Sequence, residues 1–314
     1  MRKMLVLGAS GGMGYSIVNE LVERGYHVRA FARNRERLEK LYKNRTDVEL
    51  FTGDLLQFQD ILEATKDVDI IFHAAGFPYV QWAEKLPVST KNILEAAKQN
   101  GAKLAVVDNI YAYGRASGGK VTERKPKNPH TKKGKIRLQM EQMIKQSGVE
   151  YVIAHFPDFY GPNAENSVMH YFLENVMKNK KAIFVGDPTL KREYIFTPDG
   201  AKALVSLALT EKAYGQNWNI PGYGGITGEE IIRYVRHLTG YRQKVRTITK
   251  WKIKLLGLFD RNLREVVEMF YLYEQPIFLS GEKYERELGP LPKTPYEEGL
   301  KRTVEFMKKS GDES

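Results

Sequence analysis

At 314 residues, with 42% hydrophobic and 28% charged residues, the chain has an ordinary globular balance and enough length to bury a sizeable core. It has no cysteine, which excludes disulfides, thiolate catalysis and the common zinc cages, and its six scattered histidines give no expectation of a metal site. No apolar run reaches the roughly 20 residues of a membrane span, so no membrane partner is expected. The net charge of +11 comes with no nucleic-acid motif, so a solvated basic face is preferred to a nucleic-acid surface.

The first element in chain order is a short strand, Met4–Leu7, followed by Gly8, Ala9, Ser10, Gly11, Gly12, Met13 and Gly14 and then by helical spacing of Ile17, Val18, Leu21 and Val22. Strand, glycine turn and helix in that order make a phosphate cradle, because glycine lets the backbone approach a pyrophosphate and a helix N-terminus offers free N–H groups. A chain that enters a strand this early leaves no room for a signal peptide, so a cytoplasmic location is expected. Further strands are predicted at Tyr26–Ala32, Val48–Thr52, Val68–Ala74, Lys103–Asp108 and Glu150–Phe156, with helices between them such as Thr90–Gln99 and Ile136–Gln146. The alternation predicts an α/β, doubly wound parallel sheet with ligands at the C-terminal strand ends.

Past Pro157, loops rich in Gly and Pro separate short elements, which predicts a smaller, mixed C-terminal region over the sheet edge. The division is placed at residues 1–160 for the dinucleotide-binding part and 161–314 for a region mostly devoted to substrate, with some segments returning to the first part. Apolar and aromatic residues of Ile253–Tyr273 fall at helical spacing, for which core packing is the main expected use.

The end of the second strand reads Phe31-Ala32-Arg33-Asn34. A site selective for NAD places a carboxylate there to bind the adenosine ribose, whereas Ala32 followed by Arg33 suits a 2′-phosphate, so NADP(H) is favoured over NAD(H). One dense basic cluster spans Arg115–Arg137, and either an anionic substrate drawn to a site rim or a solvated loop would account for it.

The glycine spacing Gly8-x-x-Gly11-x-x-Gly14, with Gly53-Asp54-Leu55, His73-Ala74-Ala75-Gly76, Asn109–Gly114, Asp158–Pro162, Arg192–Asp199 and Thr294–Leu300, resembles the extended, epimerase-like branch of the short-chain dehydrogenase/reductase superfamily. The resemblance covers nearly the whole chain and implies a Rossmann-type fold and a nicotinamide cofactor. It also implies that Gly8, Ser10, Gly11, Gly12, Met13 and Gly14 hold the pyrophosphate, that Asp54 and Leu55 meet the adenine, and that Ala74, Ala75 and Gly76 lie along the cofactor. Asp158, Tyr160 and Arg192 then fall on the substrate side.

The catalytic pattern departs from the family. Members use Ser or Thr after the fifth strand and a Tyr four residues before a Lys; here the first position falls on Asn109, and Lys135 is preceded at that distance by Thr131. A threonine hydroxyl cannot replace a phenol as a proton relay. Tyr111 or His130 could take over the proton chemistry, with Asn109 polarising the substrate and Lys135 kept for the nicotinamide ribose. Two functions are therefore carried forward. One is an NADP(H)-dependent oxidoreductase or epimerase/dehydratase-like enzyme acting by hydride transfer on a carbonyl or hydroxyl carbon, of a small and anionic, sugar-nucleotide-like substrate. The other is a non-catalytic NADP(H)-sensing regulator. A homodimer is allowed for in either.

Overall fold

Four successive apolar residues fully shielded from solvent, Met4, Leu5, Val6 and Leu7, place β1 (Lys3–Leu7) at the centre of a sheet covered on both faces. The computed structural model describes residues 2–116, 118–258 and 260–312. Around β1 lie β2 (His27–Ala32), β3 (Val48–Thr52), β4 (Ile70–His73), β5 (Lys103–Asn109) and β6 (Tyr151–Phe156). Short strands β7 (Asp158–Tyr160), β8 (Ile183–Val185) and β9 (Lys191–Phe196) follow, then β10 (Gln216–Asn219), β11 (Gly225–Thr227) and β12 (Arg246–Ile248). The main sheet runs β10-β6-β5-β4-β1-β2-β3 and every pair in it is parallel. Strand order reverses between β1 and β4, so the ligand crevice of a doubly wound sheet opens at their carboxyl ends.

The helices are α1 (Gly12–Glu23), α2 (Arg35–Tyr42), α3 (Phe58–Ala64), α4 (Trp82–Asn100), α5 (Lys132–Gln146), α6 (Val168–Met177) and α7 (Thr197–Ala208). They continue with α8 (Gly228–Thr239), α9 (Lys250–Leu256), α10 (Arg261–Val267), α11 (Tyr271–Glu274), α12 (Glu282–Leu288) and α13 (Tyr296–Asp312). One core layer joins Ile17, Val18 and Leu21 of α1 to Ala201, Leu204 and Ala208 of α7 under one sheet face. The opposite layer joins Ile61, Ile93, Leu94 and Ile144 from α3, α4 and α5. Thus α7 and β10, although late in sequence, pack on or join the central sheet, β10 pairing Trp218 with Ala154 of β6.

A second body follows residue 157. The three-stranded sheet β11-β9-β7 and the pair β12-β8 share a core with α6, α8 and α13 built from Phe172, Phe184, Phe196, Ile231 and Leu300. The two late sequence motifs clasp each other here. Asp199 accepts from Thr294 N (2.6 Å) and Thr294 Oγ1 (2.9 Å), and Tyr296 Oη accepts from Tyr194 N at 3.0 Å. These segments hold the C-terminal body to β9.

Three element boundaries differ from the sequence expectation. Helix α4 begins at Trp82, well before Thr90, and tolerates Pro87 early in its length. Helix α5 begins at Lys132, where the Thr131 hydroxyl accepts from Gly134 N and caps it. The stretch 253–273 is broken into α9, α10, a 3-10 turn and α11. Of its buried residues, Ile253, Phe270 and Tyr273 form a small cluster and Met269 and Tyr271 join the one around Trp82 and Tyr111, while Leu255 and Leu258 stay exposed.

Candidate active site at the strand ends

The glycine turn divides into residues the fold demands and residues it does not. Gly8 has φ +84°, and a Cβ there would stand 2.6 Å from Ala75 Cα; a Cβ on Gly14 would stand 2.1 Å from Gly8 O. Gly12 is equally confined, its added Cβ 2.6 Å from Ala164 Cα. Gly11 differs. Its backbone is extended (φ −94°, ψ 166°) and an added Cβ meets nothing closer than Gly8 O at 3.5 Å. Gly76, next in the chain to Ala75, has no atom within 4 Å of that position. Helix α1 begins here with no side-chain cap and no acidic residue in its first turn, so its N-terminal dipole is left unneutralised.

Ser10 offers its carbonyl to Arg37 Nε and Asn163 Nδ2, both at 3.1 Å, which ties the turn to α2 and to the loop after β7. The Met13 side chain is buried and turned to α7, where a Cβ on Gly200 would meet Met13 Cε at 2.8 Å. Only its backbone N–H, in the first turn of α1, is left at the glycine turn.

At the end of β2, Arg33 is exposed on a shallow recess it shares with Asn34, Arg35 and Glu36. Asn34 caps α2, Arg35 pairs with Glu39 at 2.7 Å, and Arg37 pairs with Glu165 at 2.6 Å. Arg33 has no hydrogen-bond or ion-pair partner among the described residues. Asp54 accepts from Leu56 N through Oδ1 at 3.0 Å, and Leu55 is buried with its carbonyl held by Asn92. Ala74 N bonds Leu7 O at 2.9 Å, continuing β4 toward the glycine turn.

The ends of β4, β5 and β6 are aromatic and charged. Asn109 Oδ1 accepts from Tyr111 N (3.0 Å) and so fixes the 3-10 turn that presents Tyr111. The Tyr111 phenol lies 2.6 Å from the Tyr79 phenol, and its ring stacks on Trp82 at 6.1 Å. Arg137 caps this group, its guanidinium 4.4 Å from the Trp82 centroid and 3.4 Å from Asp108 Oδ1. Half-buried Asp158 lies near enough to raise the phenols of Tyr79, Tyr111 and Tyr273. Burial pushes its own carboxyl above the usual range, with Arg192 opposing. Burial is also the main force on the phenols, holding Tyr79 at about 12 and Tyr111 well above its ordinary value. Arg192 is caged by Tyr273 (4.4 Å), Phe184 and Tyr194 (5.2 Å each). His73, at the end of β4, is pushed down to about 4 by burial and by Arg137, and its Nδ1 has no hydrogen-bond partner among the described residues. Arg137 Nε is likewise buried, with no hydrogen-bond partner among the described residues.

Several expected residues fall elsewhere. Lys135 is exposed, because the inward face of α5 carries Lys133 and Arg137, one turn apart; Lys135 lies about 200° round the helix from Lys133. Buried Lys133 pairs with Glu265 and, at 2.8 Å, with Glu268. Thr131 is the helix cap. Thr131→Val should therefore cost about 1 kcal/mol of stability while changing turnover by less than about threefold, read by thermal melting and steady-state rates. His130 is exposed on the rim, its ring on Tyr271 at 4.6 Å. Tyr160 is a core residue, 1% exposed, packed on Phe196 and Tyr296 beneath α13.

The basic cluster is also partly internal. Lys125 bonds Tyr113 O, and Lys127 bonds Glu141 and, at 2.7 Å, His155 Nε2. Ligand atoms of Asp108, Glu141 and His155 lie within 4.8 Å of one another, and the Lys127 ammonium supplies the cation beside them. This network of loop, helix and strand, which sequence reasoning missed, backs the floor beneath Asn109, since His155 Nδ1 lies 3.0 Å from Asn109 O.

Residues 4–220 match the model of the NAD dependent epimerase/dehydratase family. A dTDP-D-glucose 4,6-dehydratase of Mus musculus is 22% identical over 337 residues, covering 98% of this chain and 89% of the mouse protein. Two crystal structures share the fold across both chains. The Thermotoga maritima UDP-glucose 4-epimerase with UDP-glucose has a TM-score of 0.79 at 21% identity, covering 98% and 99% of the two chains. The Bacillus anthracis dTDP-glucose 4,6-dehydratase with NAD has a TM-score of 0.81 at 18% identity, covering 99% and 98%. With the glycine turn, the strand order and this match in place, the chain belongs to the NAD dependent epimerase/dehydratase family.

Proposed function

We propose that the protein is an NADP(H)-dependent enzyme acting on a carbonyl or hydroxyl carbon of an anionic, sugar-nucleotide-like substrate. The observation that carries this is that an uncapped glycine-rich helix start after β1 and the Tyr111–Tyr79 phenol pair after β5, beside Asp158, stand at the same carboxyl edge of one parallel sheet. When bound, the nicotinamide supplies or accepts the hydride. The residues present fit such a group: Gly11 and Gly76 leave space the fold does not require, and His73 Nδ1 and Arg137 Nε are buried polar atoms with no hydrogen-bond partner among the described residues. The sugar-nucleotide class rests on the family and on relatives whose names carry UDP- and dTDP-sugars.

In this reading residues 1–160, with α7 and β10, hold the dinucleotide and the remainder shapes the substrate side. Gly11 and the first N–H groups of α1 bind the pyrophosphate, Asp54 meets the adenine, and Arg137 takes the ribose place expected of Lys135. Tyr111, kept neutral by burial, donates its proton to the substrate oxygen, and Tyr79 and Asp158 restore it. Arg192 offers the substrate-side cation.

In this reading Arg33 selects the cofactor subtype. A charge-assisted pair with a 2′-phosphate contributes roughly 1.5–3 kcal/mol, or about 10- to 100-fold in affinity. Arg33→Ala should weaken NADPH by that factor and leave NADH nearly unchanged in fluorescence titrations; equal losses for both would remove the NADP assignment.

A regulatory, cofactor-sensing reading is favoured by one feature, the locking of Lys133 to Glu265 and Glu268 on the inward face of α5. Product analysis by mass spectrometry, with UDP- and dTDP-sugars and either oxidised or reduced NADP, separates the two. Conversion of any of them supports the enzyme. Tight cofactor binding with no conversion across the panel supports the sensor.

A further inference from the structure

Trp251 and Leu255 stand one helical turn apart on α9, 64% and 54% exposed, and Leu258, just beyond Gly257, is 70% exposed. On the opposite side of α9, Ile253 is buried against Phe270 and Tyr273. The helix is therefore anchored by one side and presents the other exposed. Lys250, Lys252 and Lys254 flank the exposed apolar side. Lys250 pairs with Glu274 at 3.1 Å, Lys252 lies 5.6 Å over the Trp251 ring, and Lys254 has no ion-pair partner among the described residues.

We propose that α9 docks the protein on an anionic lipid surface, with Trp251, Leu255 and Leu258 entering the headgroup boundary and the lysines meeting lipid phosphates. Three arguments select this occupant. A tryptophan and leucines bordered by lysines on a short anchored helix is the residue chemistry of interfacial membrane contacts. Protein–protein interfaces are depleted of lysine, and a two-fold contact between copies would set these lysines against their own images in a chain already at +11. Anionic headgroups satisfy both the apolar face and the flanking charge. No described helix is long and apolar enough to cross a membrane, so the contact is with the surface alone. Its consequence reaches the site: Tyr273, packed on Ile253, lies 4.4 Å from the Arg192 guanidinium, so the docked face is the outer wall of the substrate side.

The test uses the full chain without cofactor, mixed with vesicles of phosphatidylglycerol in phosphatidylcholine or of phosphatidylcholine alone. Trp82 and Trp218 are 4% and 1% exposed, so of the chain's three tryptophans only Trp251 can report a change of surroundings at the surface. Expected are co-sedimentation with the anionic vesicles, weaker with rising salt, and a blue shift of tryptophan emission that Trp251→Ala removes. Leu255→Ser/Leu258→Ser should weaken binding by more than about tenfold. Lys252→Gln/Lys254→Gln should weaken it about 25-fold, at about fivefold per lysine. All of these residues are exposed, and unchanged circular dichroism checks the fold. Absence of co-sedimentation overturns the proposal. So does binding that survives Leu255→Ser/Leu258→Ser with no emission shift, since that is adsorption of a basic surface. A shift that appears without vesicles and grows with protein concentration also overturns it, assigning the face to a second copy of the chain.

Discussion

Gly11→Val abolishes measurable dinucleotide binding and leaves the protein folded. The position has extended backbone that any residue adopts, and its added Cβ meets only Gly8 O, at an ordinary 3.5 Å. The fold therefore tolerates a side chain there, at a cost of about 1 kcal/mol for a poorer helix start. A pyrophosphate does not, because a branched side chain would fill the space in which phosphate oxygens reach the first N–H groups of α1. Losing two charge-assisted hydrogen bonds at roughly 1.5–3 kcal/mol each lowers affinity by about 10² to 10⁴. Gly14→Ala gives the contrasting result. Its Cβ would stand 2.1 Å from Gly8 O, so it should unfold or distort the first βα unit before binding is even asked about. Titration with NADPH beside thermal melting distinguishes the two. Retained affinity in a folded Gly11→Val protein would mean that the turn serves the fold alone.

Tyr111→Phe lowers turnover instead. A positioned proton donor contributes typically 10²–10⁴-fold to rate. The substitution keeps the ring stacked on Trp82 and removes only the oxygen that lies 2.6 Å from Tyr79 Oη. Turnover should fall within that range while NADPH affinity stays within about twofold, because on the proposed reading the phenol serves the substrate and not the cofactor. Tyr79→Phe, which leaves the donor in place and removes its neighbour, should cost less. Full activity in Tyr111→Phe, with a large loss in Asp158→Asn, would transfer the proton role to the carboxyl group.

The parts of this molecule that could be read from the chain are those in which local chemistry and global fold agree. A strand buried on both faces must be continuously apolar, and Met4–Leu7 is. Glycines at 8, 12 and 14 are imposed by contacts within the first βα unit and its nearest neighbours. Helix α5 shows where counting along a motif fails. The spacing of Thr131 and Lys135 fitted the family pattern, but helix phase decides which side chains face the crevice. The signal was present: Ile136, Met140 and Ile144 mark the buried side of α5. Lys133 lies about 20° from the centre of that side and Lys135 about 140° away. Nothing comparable announces Lys127, whose partners Glu141 and His155 come from a later helix and strand. Nor could the chain show that Tyr160 turns into a second core, since that depends on α13 closing over it.

The most direct test of the central claim is the near-ultraviolet absorbance of reduced nicotinamide on the protein itself, followed by stopped flow after loading with NADP(H). Mixing with UDP- or dTDP-sugars should make that absorbance rise on the oxidised form, or fall on the reduced form, as hydride moves. The same change should slow by about 10²–10⁴ in Tyr111→Phe. A protein that binds NADPH tightly, yet shows no absorbance change with any sugar nucleotide or simple carbonyl compound, would contradict a catalytic role for this site.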